Sequence, residues 1–211
     1  MPKVNVPILE TERLILRSWR KKDAPALFAY AQNPNVGPNA GWKPHASVRE
    51  SRQIITQLFQ QNTTWAITLK EPLAAGRTDQ AGEAVIVPAD TPVGSIGFEK
   101  DAYRPGIRSR EMGYSLSEDC WGHGIMTEAA RRLLEYGFEV LQLDSVMIRT
   151  GEANQRSRRV IAKCGFTYEG TLRRCYLMYN GRIRDSRIYS MLREEYEERC
   201  SAAAAEDAQR G

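Results

Sequence analysis

Residues Cys120-Trp121-Gly122-His123-Gly124-Ile125-Met126-Thr127 combine two glycines with the start of an amphipathic run. Glycines at such a junction let the backbone turn tightly and approach a ligand closely. The first N–H groups of a helix lack intrahelical partners and point outward. With the helix dipole they form an anion site that suits a phosphate or a pyrophosphate. An ordinary glycine-rich helix start would use the same residues. The common nucleotide motifs do not match. The chain has no GxGxxG here and no GxxxxGK[ST], which argues against a dinucleotide oxidoreductase and a P-loop ATPase.

The elements around this turn follow from periodicity. Residues 14–19 alternate apolar and polar, as a half-buried strand does. Asp23 and Pro25 open a helix that ends near Asn33 and Pro34. Residues 33–44 read as a loop. Ser47 with Glu50 fits a capping box before a second helix. Strands are predicted over 65–69, 93–98 and 111–116. Residues 71–92 are punctuated by Gly, Pro and Asp and read as a loop. Ile125, Ala129 and Leu133, with Leu134, Phe138 and Leu141, predict a helix over 124–141. A strand over 145–150 and a helix over 154–163 follow, the helix closed by Gly165. Two strands, 166–172 and 182–192, turn at Asn180-Gly181. The order predicts a single α/β domain over 8–199 with a mixed, partly antiparallel sheet flanked by helices. Residues 200–211 are expected to be a disordered tail.

Composition bounds the function. The chain has 211 residues, 42% hydrophobic and 27% charged, which suits one domain with a full core. The net charge of +4 is modest and gives no dense basic arm for nucleic acid. Arginines do gather in the C-terminal half, among them Arg149, Arg156, Arg158, Arg159, Arg173, Arg174, Arg182, Arg184 and Arg187. They make either a solvated face or a surface for phosphates or an acidic partner. The four cysteines show no CxxC spacing and the two histidines lie far apart, so neither a metal site nor a disulfide framework is expected. No signal-peptide run and no membrane-spanning stretch is present in the sequence. A cytoplasmic protein with no membrane partner is expected.

The run EMGYSLSEDCWGHGIMTEA and the later run EANQRSRRVIAKCGF resemble the GNAT superfamily of acetyl-CoA-dependent N-acetyltransferases. Within it they are most similar to the RimJ/RimL-like, ribosomal-protein N-terminal acetyltransferase type, as is the opening ETERLILRSW. The resemblance spans Glu10 to about Glu198. It implies a central sheet with splayed middle strands and acetyl-CoA as the acyl donor. The pantetheine arm would pair near Tyr114, Leu116 and Ser117. Trp121, Gly122, His123, Gly124, Ile125, Met126 and Thr127 would hold the diphosphate. Asn154 matches a cofactor-holding asparagine, and Arg158 and Arg159 are candidates for the adenosine phosphate. Met126 replaces a usual Gly or Ala. Ile161 stands where many relatives carry a tyrosine acid, so that role is not carried over.

Acetyl transfer to an amine needs a base, oxyanion donors and a proton for the leaving thiolate. Ser157 matches the subgroup serine and is the candidate proton donor, although Asn154 and Ser157 also fit a helix cap and its first turn. Glu111 is the candidate base, with an exposed strand carboxylate as the alternative. Trp42 and His45 border the expected acceptor pocket, or close the core. The acceptor would be a peptide N-terminus or a small-molecule amine. A homodimer is compatible with the family. A non-catalytic acyl-CoA-binding or ribosome-associated module would share the fold.

Overall fold

The computed structural model describes residues 5–60 and 63–210, without the side chains of 206–210. In chain order the elements are β1 (Leu9–Glu10), β2 (Leu14–Ser18), α1 (Ala24–Ala31), α2 (Gly37–Ala40), α3 (Val48–Ile54), β3 (Thr63–Leu69), β4 (Leu73–Thr78), β5 (Ala84–Val87), β6 (Pro92–Lys100) and β7 (Ser109–Leu116). Then follow α4 (Ile125–Glu135), β8 (Ser145–Gly151), α5 (Gln155–Cys164), β9 (Thr167–Leu177), β10 (Ile183–Leu192) and α6 (Arg193–Arg210).

Eight strands form one sheet in the order β1-β2-β3-β6-β7-β8-β10-β9. Its pairs are antiparallel except β7 with β8. That parallel pairing ends at Met112 opposite Ile148, so the last turns of β7 and β8 separate. This is the α/β domain with splayed middle strands that the sequence leads one to expect.

Alternation along the strands feeds two cores, one on each face of the sheet. In β3, Trp65, Ile67 and Leu69 pack with α4, while Ala66 faces α1 and the turn after α3. In α4, Ile125, Ala129 and Leu133 are buried at the predicted i, i+4, i+8 spacing. The helical run changes to a single π turn at Tyr136–Val140. Gly137 lies in that turn against the Phe98 ring, where a Cβ would stand 2.9 Å from Cζ.

Three expectations are corrected. Residues 71–92 contain a hairpin, β4 with β5, rather than an open loop. Its Ala75 and Val87 reach the core, and a short turn between Asp79 and Glu83 closes it. Turn residues concealed its alternation. The loop over 33–44 holds the short α2, ended by Gly41 in the left-handed region at φ 98°. Residues 200–210 of the tail expected to be disordered are helical in α6, where the Ala202–205 run has the highest helix propensity.

β6 lies so close to β3 that Gly97 has no room for a side chain: a Cβ would meet the Thr63 carbonyl and stand 2.9 Å from Thr64 Cα. Gly97→Val is expected to lower stability by about 1–3 kcal/mol through overpacking, read as a lower denaturant midpoint at unchanged slope.

Candidate active site

β7 runs through a 3-10 turn, Glu118–Cys120, into the turn that precedes α4. Gly122 and Gly124 there adopt φ 85° and φ 79°, the left-handed region that glycine occupies without strain. The turn is braced from several sides. Glu118 accepts hydrogen bonds from Asn33 Nδ2 at 2.6 Å and Asn35 Nδ2 at 3.2 Å. Asp119 pairs with Arg77 of the β4–β5 hairpin. Glu128 accepts from Thr11 Oγ1 at 2.5 Å and from the Arg13 amide at 3.0 Å, and Arg13 donates to the His123 carbonyl at 3.1 Å. These bonds hold the start of α4 in place, with Gly122, Gly124, Ile125, Met126 and Thr127 lining a cavity of about 780 Å³. Met126 is also buried in the core, which accommodates its bulk.

The gap between β7 and β8 opens onto the same cavity. Ser117 gives its N–H to the Val93 carbonyl at 2.7 Å, and Arg108 gives its carbonyl to the Asp144 amide beside β8. Backbone groups alternate along a strand, so the amides of Tyr114 and Leu116 point toward β8, past the end of its pairing. The Leu116 carbonyl is taken by Trp121 Nε1 at 3.1 Å. The Arg156 guanidinium lies 4.1 Å from the center of the Trp121 ring. Arg156, Arg159 and Lys163 line the cavity from one face of α5, whereas Arg158 does not.

At the start of α5, Asn154 Oδ1 accepts the Ser157 amide at 3.1 Å, so the capping geometry is present. Asn154 and Ser157 both line the cavity. Ser157 Oγ and Tyr114 Oη share a hydrogen bond of 2.9 Å. Burial pushes the Tyr114 phenol above its ordinary range, so it holds its proton.

The opposite face of the sheet contributes another set. Glu111 faces Glu99 across the β6–β7 register and pairs with Arg149 at 3.2 Å. Burial raises the Glu111 carboxyl above the usual carboxylate range, Glu99 adds to this, and Arg149 opposes it. The Tyr176 ring carries two guanidiniums, Arg149 at 5.1 Å and Arg184 at 4.5 Å. Its hydroxyl donates to the Gly41 carbonyl at 3.5 Å. Trp42 lines the cavity from the loop after α2.

Most of the sequence-derived residues therefore meet at one cavity. Besides Arg158, three do not line it. Ser117 spends its amide on β6. The His123 carbonyl accepts a hydrogen bond from Arg13 outside the lining. His45 is buried behind Trp42, with Nδ1 2.8 Å from Ser51 Oγ, and burial holds its imidazole below the ordinary range. Lys163 and Tyr176 escaped the sequence reading, and Arg149, Arg156 and Arg184 entered it only among the C-terminal arginines, with no place in the site. Arg156, Arg159 and Lys163 share helical spacing that could have revealed them. Tyr176 and Arg184 are cross-strand partners, visible only once the β9–β10 register is known.

Residues 13–167 match the family model described as an acetyltransferase (GNAT) domain. The Bacillus subtilis protein named "Uncharacterized N-acetyltransferase YoaA" is 30% identical over 192 residues, 89% of this chain and 97% of that one. Over 90 residues, 43% of this chain and 49% of the other, the chain is 40% identical to the Bacillus subtilis protein named "Putative ribosomal N-acetyltransferase YdaF". Among solved structures, a GNAT-family acetyltransferase from Bacillus anthracis superposes with a TM-score of 0.71 at 23% identity, covering 90% of this chain and 100% of that one.

Proposed function

The chain belongs to the GNAT acetyltransferase domain family, and from that premise we propose that it moves an acetyl group from acetyl-coenzyme A to a primary amine, with a protein N-terminus of the RimJ/RimL type as the acceptor class. One observation carries the reading. The sheet parts after Met112 and Ile148, and the freed amides of Tyr114 and Leu116 lie between a glycine turn at a helix start and a half-buried carboxylate. The site fits an extended thioester with a diphosphate. The first-turn amides of α4 receive the diphosphate, and Arg156, Arg159 and Lys163 supply cations beside it. The Tyr114 and Leu116 amides pair with the pantetheine arm.

When bound, acetyl-coenzyme A supplies the thioester whose C–S bond breaks as the C–N bond forms. Glu111 takes the proton from the incoming ammonium, and its raised carboxyl makes it a stronger base than an exposed one. The Tyr114–Ser157 pair gives a proton to the departing sulfur. The protein acceptor rests on the name of YdaF, which covers less than half of this chain.

The test is a thiol-release assay with acetyl-coenzyme A and a panel of N-terminal peptides, polyamines and aminoglycosides, beside calorimetry with coenzyme A. Turnover on one amine class supports transfer and names the acceptor. Tight binding with no turnover on any amine would favour a non-catalytic acyl-CoA-binding module. No binding would remove the cofactor assignment altogether.

A thiol has a pKa of about 8.5, so a proton donor helps the departing sulfur without being indispensable. Tyr114→Phe and Ser157→Ala are therefore each expected to lower kcat about tenfold at neutral pH. The double variant should lose little more than either alone, because the two hydroxyls act as one unit. Additive losses would show that they act separately.

A further inference from the structure

Resting on the reading of the Glu111 side of the cavity as the acceptor side, we propose that the acceptor carries a carboxylate beside its amine, and that Arg184 receives that carboxylate.

Four charged side chains line this side: Glu99, Glu111, Arg149 and Arg184. Arg149 is already satisfied by Glu111 at 3.2 Å and by the Tyr103 hydroxyl at 3.4 Å. Arg184 is not. Among the described residues it forms no ion pair, and its Nε is shielded from solvent with no hydrogen-bond partner. What holds it is packing. Its guanidinium lies 4.5 Å from the Tyr176 ring center and against Gly151, where a Cβ would stand 3.2 Å from Nη1.

A guanidinium does not escape burial by losing its proton, since it stays charged across the whole working range. Arg184 is half-buried, and even partial removal of such a charge from water without a counter-charge is unfavourable. Burial and the nearby Arg149 charge both act against the Arg184 cation, which agrees with a missing counter-ion. The planar fork of donors matches a carboxylate in two parallel hydrogen bonds.

The pattern also sorts acceptors. An amine approaching Glu111 and Glu99 meets negative charge, while its far end meets Arg184. A molecule with one ammonium and one carboxylate complements both ends. A polyamine would set a second cation against Arg149 and Arg184. The carboxylate can come from an acidic side chain of a peptide or from a free amino acid, because the recognition chemistry is the same.

The experiment uses the full chain saturated with coenzyme A. Two amidated tetrapeptides are titrated by calorimetry: one carries aspartate after the N-terminal residue and its twin carries asparagine. Free alanine and alaninamide form a second pair, which separates the two sources of the carboxylate. The carboxylate member of at least one pair is expected to bind about tenfold more tightly. In Arg184→Met that preference should shrink to within about twofold, while coenzyme A affinity is kept. Arg184→Lys, a milder change, should retain part of it, since a point charge replaces the fork. Equal binding within both pairs in the parent protein overturns the proposal. So does an equal loss of coenzyme A affinity in Arg184→Met, which would place the guanidinium on the cofactor. So does a lower melting temperature with the preference intact, which would make Arg184 a packing residue. Binding needs no turnover. A chain that prefers the carboxylate but releases no thiol would therefore sink acetyl transfer and leave this inference standing. Turnover on amines with no such preference would do the reverse.

Discussion

Glu111→Gln is expected to lower kcat by roughly 100-fold or more at neutral pH, with coenzyme A affinity nearly unchanged. The amide keeps the shape and cannot accept the ammonium proton. In the parent protein the rate should fall on the acid side as Glu111 takes up a proton. Burial and Glu99 raise that carboxyl, so the acid limb should lie above the ordinary carboxylate pKa of 4.5. The variant should lack the limb. Arg149 is the group that holds the carboxyl down. Removing its charge in Arg149→Met should therefore move the limb to higher pH. Stopped-assay rates across pH, with melting curves as a control on folding, check both. An unchanged limb in Glu111→Gln would assign the base to another group. A limb that moved down in Arg149→Met would contradict the electrostatics of the pair.

Gly122→Asp should weaken coenzyme A binding by about 100-fold or more, or ~2.7 kcal/mol. Nothing lies within 4 Å of a Cβ placed at Gly122, so the side chain meets open space. Its φ of 85° is a conformation that Asp and Asn tolerate better than other side chains. The fold should therefore survive, and the change is chiefly a carboxylate set where the diphosphate is proposed to lie. Gly122→Asn supplies the neutral control of the same shape and should lose less than about tenfold. Calorimetric titration with coenzyme A at two salt concentrations would separate charge from shape. Equal losses for Asp and Asn would mean that no phosphate sits on this turn.

Local pattern carries much of this molecule. The spacing of Ile125, Ala129 and Leu133 determined α4, because a helix repeats every 3.6 residues whatever packs against it. Gly165 ended α5 at φ 84°, and Ser47 capped α3 through the Glu50 amide. The glycines of the turn before α4 were readable because glycine adopts a left-handed backbone without strain. Family resemblance then placed Glu111, Tyr114 and Ser157, but spacing alone could not say what they touch.

Other features depended on the third dimension. The hairpin over Leu73–Thr78 and Ala84–Val87 was concealed because its Gly, Asp and Pro residues are those of loops; packing of Ala75 and Val87 on the core made it a hairpin. His45 and Trp42 are three residues apart, yet one is buried against Ser51 and the other lines the cavity. Tyr176, Arg149 and Arg184 come from three different strands. Their meeting depends on the antiparallel β8–β10 pairing, and on a β9–β10 register that sets Arg184 opposite Tyr176. Periodicity reports which face of its own element a residue occupies. The sequence by itself thus determined most of the elements, the caps of α3 and α5, and the glycine turn. Only the tertiary structure decided which strands part and that Arg184 packs on Tyr176 with no ion pair among the described residues, because both depend on groups distant in the chain.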